Sequence, residues 1–433
     1  MSFADTHSFV QEEMMRNSKI NNEEVTYDEK QRTLSLAMSR DRQAIKKAKY
    51  YILEILKENN INVIGYKKEE LAEEIFAKNW GLDGLEKYAI DDITDEIRVN
   101  SKDSIRIVRK GVPQKIDFKF NSDEEIENII KRMIVEDMGT SIDMSNPKLE
   151  AVLSDGSRLT ATCPTITKPW TFILRRPDSF KPTLDNYIQK ETLNEKVWEA
   201  IGILARGRAS MLISGNVGAG KTTFMRKVVG ELNEILRIGV IGKDSEVLLQ
   251  DHYPDRDIVE LQEQAHLNIY MKDLFVLMLR MSPDVLIIEE FRGAGEAIEA
   301  VRACTRGLDG SMATAHFNTA EEAVEGTALF MLEEGLAIPM NMAKLRVARA
   351  FNIIIQMVGD AITGKKKIVG ITEIGADSEG EVFYNELMKW VPVEDDDYFG
   401  TGEWVFKGKP TDKLIKKLLK GVKKEELAAM GWL

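Results

Sequence analysis

The sequence predicts an α/β protein: a mostly parallel sheet with helices on both faces, behind a smaller α+β domain and a helical lead segment. Three observations carry this. Residues 215–222 read Gly-Asn-Val-Gly-Ala-Gly-Lys-Thr, set between an apolar run at 209–214 and a helix-forming run at 223–229. From 191 to 375, apolar runs of strand length at 209–214, 237–242, 284–289, 311–316, 352–357 and 367–374 alternate with helical stretches. One of these runs, Asp284-Val285-Leu286-Ile287-Ile288-Glu289-Glu290, ends in acids, as a buried strand delivering carboxylates to a sheet edge would.

In chain order, residues 1–85 are polar and helix-prone, with apolar clusters such as Tyr51-Ile52-Leu53, and form the lead segment. The α+β domain covers 86–180. Its strands are expected at 95–100, 105–108 and 172–174, with a hairpin of 149–153 and 158–162 turning at Asp155-Gly156. A helix is expected over 122–138, with Ser122 and Glu125 in capping-box spacing and Ile126, Ile129, Ile130 and Met133 on one face. A linker at 181–190 leads into the main α/β domain, 191–375. A tail, 376–433, carries an amphipathic, lysine-rich helix at 413–430, expected to pack its Leu414, Leu418, Leu419 and Val422 side on the main domain.

Composition narrows the function. The chain has 433 residues and a net charge of −12, which disfavours a large nucleic-acid surface. Its two cysteines, Cys163 and Cys304, lie far apart without histidines at metal-ligand spacing, so no zinc site or disulfide framework is implied. The first residues lack the basic and apolar regions of a signal peptide, and no apolar stretch is long enough to span a bilayer. A cytoplasmic protein that reaches a membrane through partners is expected.

The octapeptide fits the phosphate-loop pattern, glycine, four variable residues, then Gly-Lys-Ser/Thr, in the strand–loop–helix context it needs. Gly215, Gly218 and Gly220 let backbone N–H groups approach phosphate oxygens, and the following helix adds the positive end of its dipole. Asn216, Val217 and Ala219 complete the loop, and Thr223 follows it. Lys221 is placed for the β- and γ-phosphates of ATP, and Thr222 for Mg²⁺. Glu290 stands where an acid supports the metal or polarises the attacking water. His316 ends the run 311–316, where sheet proteins of this class place functional groups; a lone histidine is as often structural. Asp244-Ser245-Glu246 puts further acids after a strand. Arg158, Arg175 and Arg176 lie outside the main domain, where an arginine from another domain or subunit would reach a γ-phosphate.

Together these stretches resemble the type II/type IV secretion ATPase family, the motors of secretion systems, conjugation machines and type IV pili. The phosphate loop, Leu279-Arg280-Met281-Ser282-Pro283-Asp284 with Glu290-Phe291-Arg292-Gly293 and Glu296-Ala297, and Thr305 with Asp309-Gly310-Ser311 and Ala313-Thr314-Ala315-His316 are similar to its Walker A, Walker B and histidine boxes. Residues 92–100, 153–158 and 174–176 are similar to the N-domain of the branch that drives Tad (Flp) pili and conjugation. The resemblance implies a RecA-like P-loop NTPase motor domain, a ring of six, ATP and Mg²⁺ as ligands, and an inner-membrane platform protein as partner. By matched position it implies Glu246 as the water-activating acid, Glu290 at the metal and water, His316 as γ-phosphate sensor, and Arg158 and Arg175 closing from the N-domain. Two positions depart from the family pattern: Lys243 stands where an acid usually opens the aspartate box, and Glu289 where glycine is usual. The four-cysteine zinc insert of type II secretion motors is missing. The competing expectations are a nucleotide-gated assembly protein with little turnover and a nucleic-acid-translocating motor.

Overall fold

The computed structural model describes all residues except 1, 21–22, 110, 137–140, 177–181, 244–246, 265–266, 292–295 and 395–396. The chain divides into two compact units, Met1–Asp178 and Ser179–Leu433.

In the first unit the lead segment is helical: Phe3–Met14, Tyr27–Met38, Arg42–Glu58 and Lys68–Asn79, with a short antiparallel pair, β1 (Ser18–Ile20) and β2 (Glu23–Val25), between the first two. Ser2, Thr26 and Asp41 cap three of these helices through their side chains. The helices share one apolar core built around Leu34, Ile52, Leu56, Ile75 and Phe76. The α+β part follows as one antiparallel sheet: β3 (Thr94–Ser101), β4 (Ser104–Arg109), β5 (Val112–Lys115), β6 (Lys148–Val152), β7 (Arg158–Thr162) and β8 (Thr171–Arg175), in the spatial order β5-β4-β3-β8-β7-β6. The hairpin at Asp155-Gly156 joins β6 and β7 as its turn residues require.

The helix Asp123–Met133 buries Ile126, Ile129, Ile130 and Met133, but two expectations for it fail. It ends at Met133 rather than 138, and the capping box does not form: the Glu125 carboxylate accepts the N–H of Asn121, 2.8 Å away, one residue before Ser122.

A buried ion pair ties the lead helices to the sheet-bearing part of this unit. Arg40 Nη1 donates to both carboxylate oxygens of Glu86 at 2.7 and 2.8 Å, with both side chains at most 5% exposed, and Glu86 also accepts the Leu82 N–H. Removing one partner strands the other charge, so Glu86→Ala is expected to cost about 3–5 kcal/mol. Thermal unfolding measured beside the wild type checks this; an unshifted transition would show that the pair does not hold the unit together.

The second unit is built on a nine-stranded sheet. Its strands are β9 (Met211–Gly215), β10 (Ile238–Gly242), β11 (Ile258–Gln262), β12 (Val285–Ile288), β13 (Met312–Ala315), β14 (Ile353–Gly359), β15 (Lys366–Ala376), β16 (Val382–Pro392) and β17 (Gly402–Phe406). The spatial order is β11-β10-β12-β13-β9-β14-β15-β16-β17; the first six are mutually parallel, and β15 to β17 extend the sheet antiparallel. Alternation along the parallel strands feeds two cores. Met211, Ile213, Val285 and Ile287 enter one, with the helices Glu195–Arg206 and Lys221–Val229; Leu212, Leu286 and Ile288 enter the other, with Met271–Arg280, Ala297–Thr305 and Ala320–Glu333.

In this unit the structure corrects the sequence reading at four places. The strands β11, β16 and β17 were not expected, because their mixed polar and apolar residues mask the strand period. The sheet therefore runs beyond residue 375, and 376–433 is no separate tail. The expected helix at 413–430 is two, Asp412–Leu418 and Lys424–Ala429, parted at Gly421, where a Cβ would lie 2.3 Å from the Arg206 carbonyl oxygen. Its apolar side, with Leu414, Leu418 and Val422, is buried in the main core. The linker contains the helix Leu184–Gln189, whose Tyr187 joins the same core and meets Phe224 edge-on; Lys181 lies outside the described residues.

Candidate functional site

Strand β9 is buried along its length and ends at Gly215, where the glycine loop begins. Gly218 and Gly220 adopt φ of +78° and +84°, in the left-handed region that a Cβ disfavours, so the loop turns back onto the helix Lys221–Val229 with Gly220 as its N-cap. The Asn216 carboxamide exchanges two hydrogen bonds with the backbone of Gly359, donating to its oxygen at 2.7 Å and accepting its N–H at 2.8 Å. Val217 projects into solvent, Ala219 is buried, and Thr222 and Thr223 are half-buried in the first helical turn.

Lys221 is buried at 6% exposure, and its ammonium donates to the carbonyl oxygens of Gly215 and Asn216 at 3.0 and 3.2 Å. It also lies 3.0 Å from His316 Nδ1. An ammonium only donates, so Nδ1 is the acceptor and the ring hydrogen sits on Nε2, which donates to Glu290 Oε1 at 2.6 Å. The result is a chain, Lys221–His316–Glu290, across the carboxyl ends of three adjacent parallel strands, β9, β13 and β12. That edge is where open parallel sheets bind ligands. The residue after the histidine is held from two strands: the Phe317 carbonyl accepts Ser214 Oγ at 3.0 Å and Gln356 Nε2 at 2.9 Å.

The two adjacent carboxylates point to different partners. Glu290 meets His316, whereas Glu289, buried at 4% exposure, accepts the Val247 N–H at 2.8 Å. Asp244, Ser245 and Glu246 lie outside the described residues, as does the 292–295 part of the acidic stretch. Both flanks of 244–246 are anchored. Val247 is fixed on its N–H by Glu289 and on its carbonyl by Arg226 Nε at 2.7 Å, and Lys243 forms an ion pair with the buried carboxylate of Glu296. Lys243, unusual at its position, thus has a partner within the same unit.

Arg158 and Arg175 belong to the first unit, where they face each other across the β7–β8 pairing, with Glu96 opposite Arg175 on β3. Arg158 is half-buried and Arg175 exposed. Arg176 is committed elsewhere: it is largely buried against Asp91, donates to the backbone of Asp91 and Thr94, and burial pushes its pKa down. Both cysteines are buried, and burial pushes the Cys304 thiol up to about 12. No helix among the described residues is long and apolar enough to cross a membrane.

Sequence reasoning missed Arg226, Gly359 and Lys366 at this site. A Cβ built on Gly220 would lie 3.2 Å from Lys366 Cδ and 3.3 Å from its Nζ. The run Lys365-Lys366-Lys367 was visible as charge, but only the fold-back of β15 along β14 brings it to the loop.

Residues 81–358 match the family described as Type II/IV secretion system protein. The conjugal transfer protein TrbB of Rhizobium radiobacter is 29% identical over 171 residues, covering 39% of this chain and 51% of that protein. The type IV secretion system protein VirB11 of Brucella suis is 25% identical over 246 residues, covering 49% of this chain and 67% of the other. The match to the conjugal transfer protein thus spans about half of that protein's length. The solved structure of the Legionella pneumophila ATPase DotB aligns with a TM-score of 0.47 at 15% identity, covering 78% of this chain and 83% of that one.

Proposed function

Because the chain belongs to the type II/IV secretion system protein family, we propose that it is an ATP-hydrolysing motor of a secretion, conjugation or pilus machine. One observation carries this reading: the glycine loop, Lys221, His316 and Glu290 converge at the carboxyl edge of the parallel sheet. The left-handed glycines and the helix start fit a polyphosphate, and a hydroxyl at Thr222 with a carboxylate at Glu290 fits the hard oxygen ligation of Mg²⁺. Mg²⁺ bound there would neutralise charge on the phosphates.

The residues of the chain then have separate tasks. Lys221 exchanges its two carbonyl acceptors for phosphate oxygens. That exchange removes the donor from His316 Nδ1 and so reports nucleotide to the ring, whose Nε2–H stays directed at Glu290. Glu290 and Glu246 orient the attacking water, and Arg158 and Arg175 supply positive charge from the N-terminal domain. In this reading the second unit is a RecA-like P-loop motor domain, six copies form a ring, and an inner-membrane platform protein holds the ring at the cytoplasmic face.

Phosphate release from MgATP, with the particle mass determined in the same buffer, tests the proposal. Turnover by a six-subunit particle, unchanged by added DNA or RNA, is expected. Tight ATP binding without turnover would instead support a nucleotide-gated assembly protein. Stimulation by nucleic acid at low salt would favour a translocating motor, a reading that the net charge of −12 opposes.

A further inference from the structure

The turn between β14 and β15 lies against the glycine loop. Met357 of β14 is in register with Gly215 of β9, so the chain beyond Met357 runs past the sheet edge beside the loop. Gly359 is fastened to Asn216 by two hydrogen bonds, and a Cβ on Gly359 would come within 2.8 Å of Ala219 Cα. The turn is itself ordered: Asp360 N–H donates to the Lys365 carbonyl at 2.8 Å, and the Asp360 carboxylate accepts the N–H groups of Ile362 and Thr363 at 3.0 and 3.1 Å. A rigid hairpin therefore presents the first residues of β15 at a fixed place.

Three consecutive lysines stand there, and strand alternation separates them. Lys365 reaches the Phe399 carbonyl, 3.5 Å away. Lys367 is buried, with Nζ 3.4 Å from the centroid of the Trp390 ring and the same distance from the Gly400 carbonyl. Lys366 between them lies over Gly220, the residue that starts the helix Lys221–Val229. Its ammonium thus stands near the positive end of that helix, which is also where Lys221 begins. The loop's N–H groups and the start of that helix offer a place for phosphate oxygens, and the Lys366 stem lies beside it.

We propose that Lys366 is a second phosphate-binding cation of the nucleotide site, supplied by the β14–β15 hairpin of the same chain and directed at the polyphosphate of a nucleoside di- or triphosphate. This rests on the nucleotide-binding reading given above. An ammonium on a hairpin fastened to the loop is already positioned, so little ordering is required when the anion arrives.

Equilibrium titration with MgATP and MgADP tests it, using the wild type, Lys366→Met, Lys366→Arg and the neighbouring control Lys365→Ala. Methionine keeps most of the stem and removes the charge. Lys366→Met is expected to weaken MgATP about tenfold, whereas Lys366→Arg and Lys365→Ala stay within about threefold of wild type. Without nucleotide, the melting temperature of Lys366→Met should stay near that of the wild type, so that lost affinity is not lost fold. Wild-type affinity in Lys366→Met, or an equal loss in Lys366→Arg, would overturn the assignment while leaving the nucleotide site standing. Failure of the wild type itself to bind either nucleotide would overturn the nucleotide-binding reading, and this proposal with it.

Discussion

Lys221→Ala is expected to abolish ATP turnover and to weaken nucleotide binding by one to two orders of magnitude, roughly the worth of a charge-assisted hydrogen bond at 1.5–3 kcal/mol. The side chain is buried, and its ammonium is the shared donor to the Gly215 and Asn216 carbonyls and to His316 Nδ1. On the proposed function, removing it deletes a phosphate donor, and it removes the first link of the chain to Glu290. The fold should survive. The lost bonds cost about 1–3 kcal/mol at a loop whose backbone is also held by Asn216 and Gly359. Nucleotide titration, phosphate release and circular dichroism on the same preparation check all three statements. Near-normal turnover in a folded variant would end the assignment of this loop to phosphate.

The second large effect is expected at the acids. Glu290→Gln should reduce turnover at least tenfold, about 1.4 kcal/mol of barrier or more, while MgATP still binds. Glutamine can still accept the His316 Nε2–H that Glu290 receives at 2.6 Å, so the geometry is kept and the negative charge is lost. Glu246→Gln should have an effect of similar size by the same chemistry. Glu289→Gln should do much less: its carboxylate accepts the Val247 N–H, a role an amide oxygen can fill, and it faces Gly242 rather than His316. The measurement is steady-state phosphate release for the three variants, each with a binding titration. Activity in Glu290→Gln together with its loss in Glu289→Gln would reverse the roles of the two carboxylates.

Local sequence made the core of this site legible. Apolar strands followed by glycines, acids or a histidine named Gly215, Lys221, Glu290 and His316, and the structure brings Lys221, His316 and Glu290 into one hydrogen-bonded chain. Contacts between distant segments were not legible. Lys243 looked like a misplaced charge until its partner, Glu296, 53 positions on, was seen beside it. Nothing in the local sequence around Arg226 showed that it holds the Val247 carbonyl. Lys366 and Gly220 are separated in sequence by five of the six parallel strands and meet only because β14 lies beside β9. The same limit explains the C-terminal strands. In β16, Tyr384, Asn385 and Glu386 sit between apolar residues, and it is pairing with β15 and β17 that makes the segment extended. The parallel strands β9, β12 and β14, buried on both faces, needed no such neighbour to be read, because their apolar runs are nearly continuous.

The most direct test of the nucleotide site is amide hydrogen exchange of the intact protein with and without MgATP, followed over peptides that cover residues 211–229. Backbone N–H groups that take phosphate oxygens as acceptors should exchange more slowly, so nucleotide-dependent protection concentrated at 216–223 and lost in Lys221→Ala is expected. Exchange across 216–223 that MgATP leaves unchanged, under conditions where the nucleotide is bound, would contradict it.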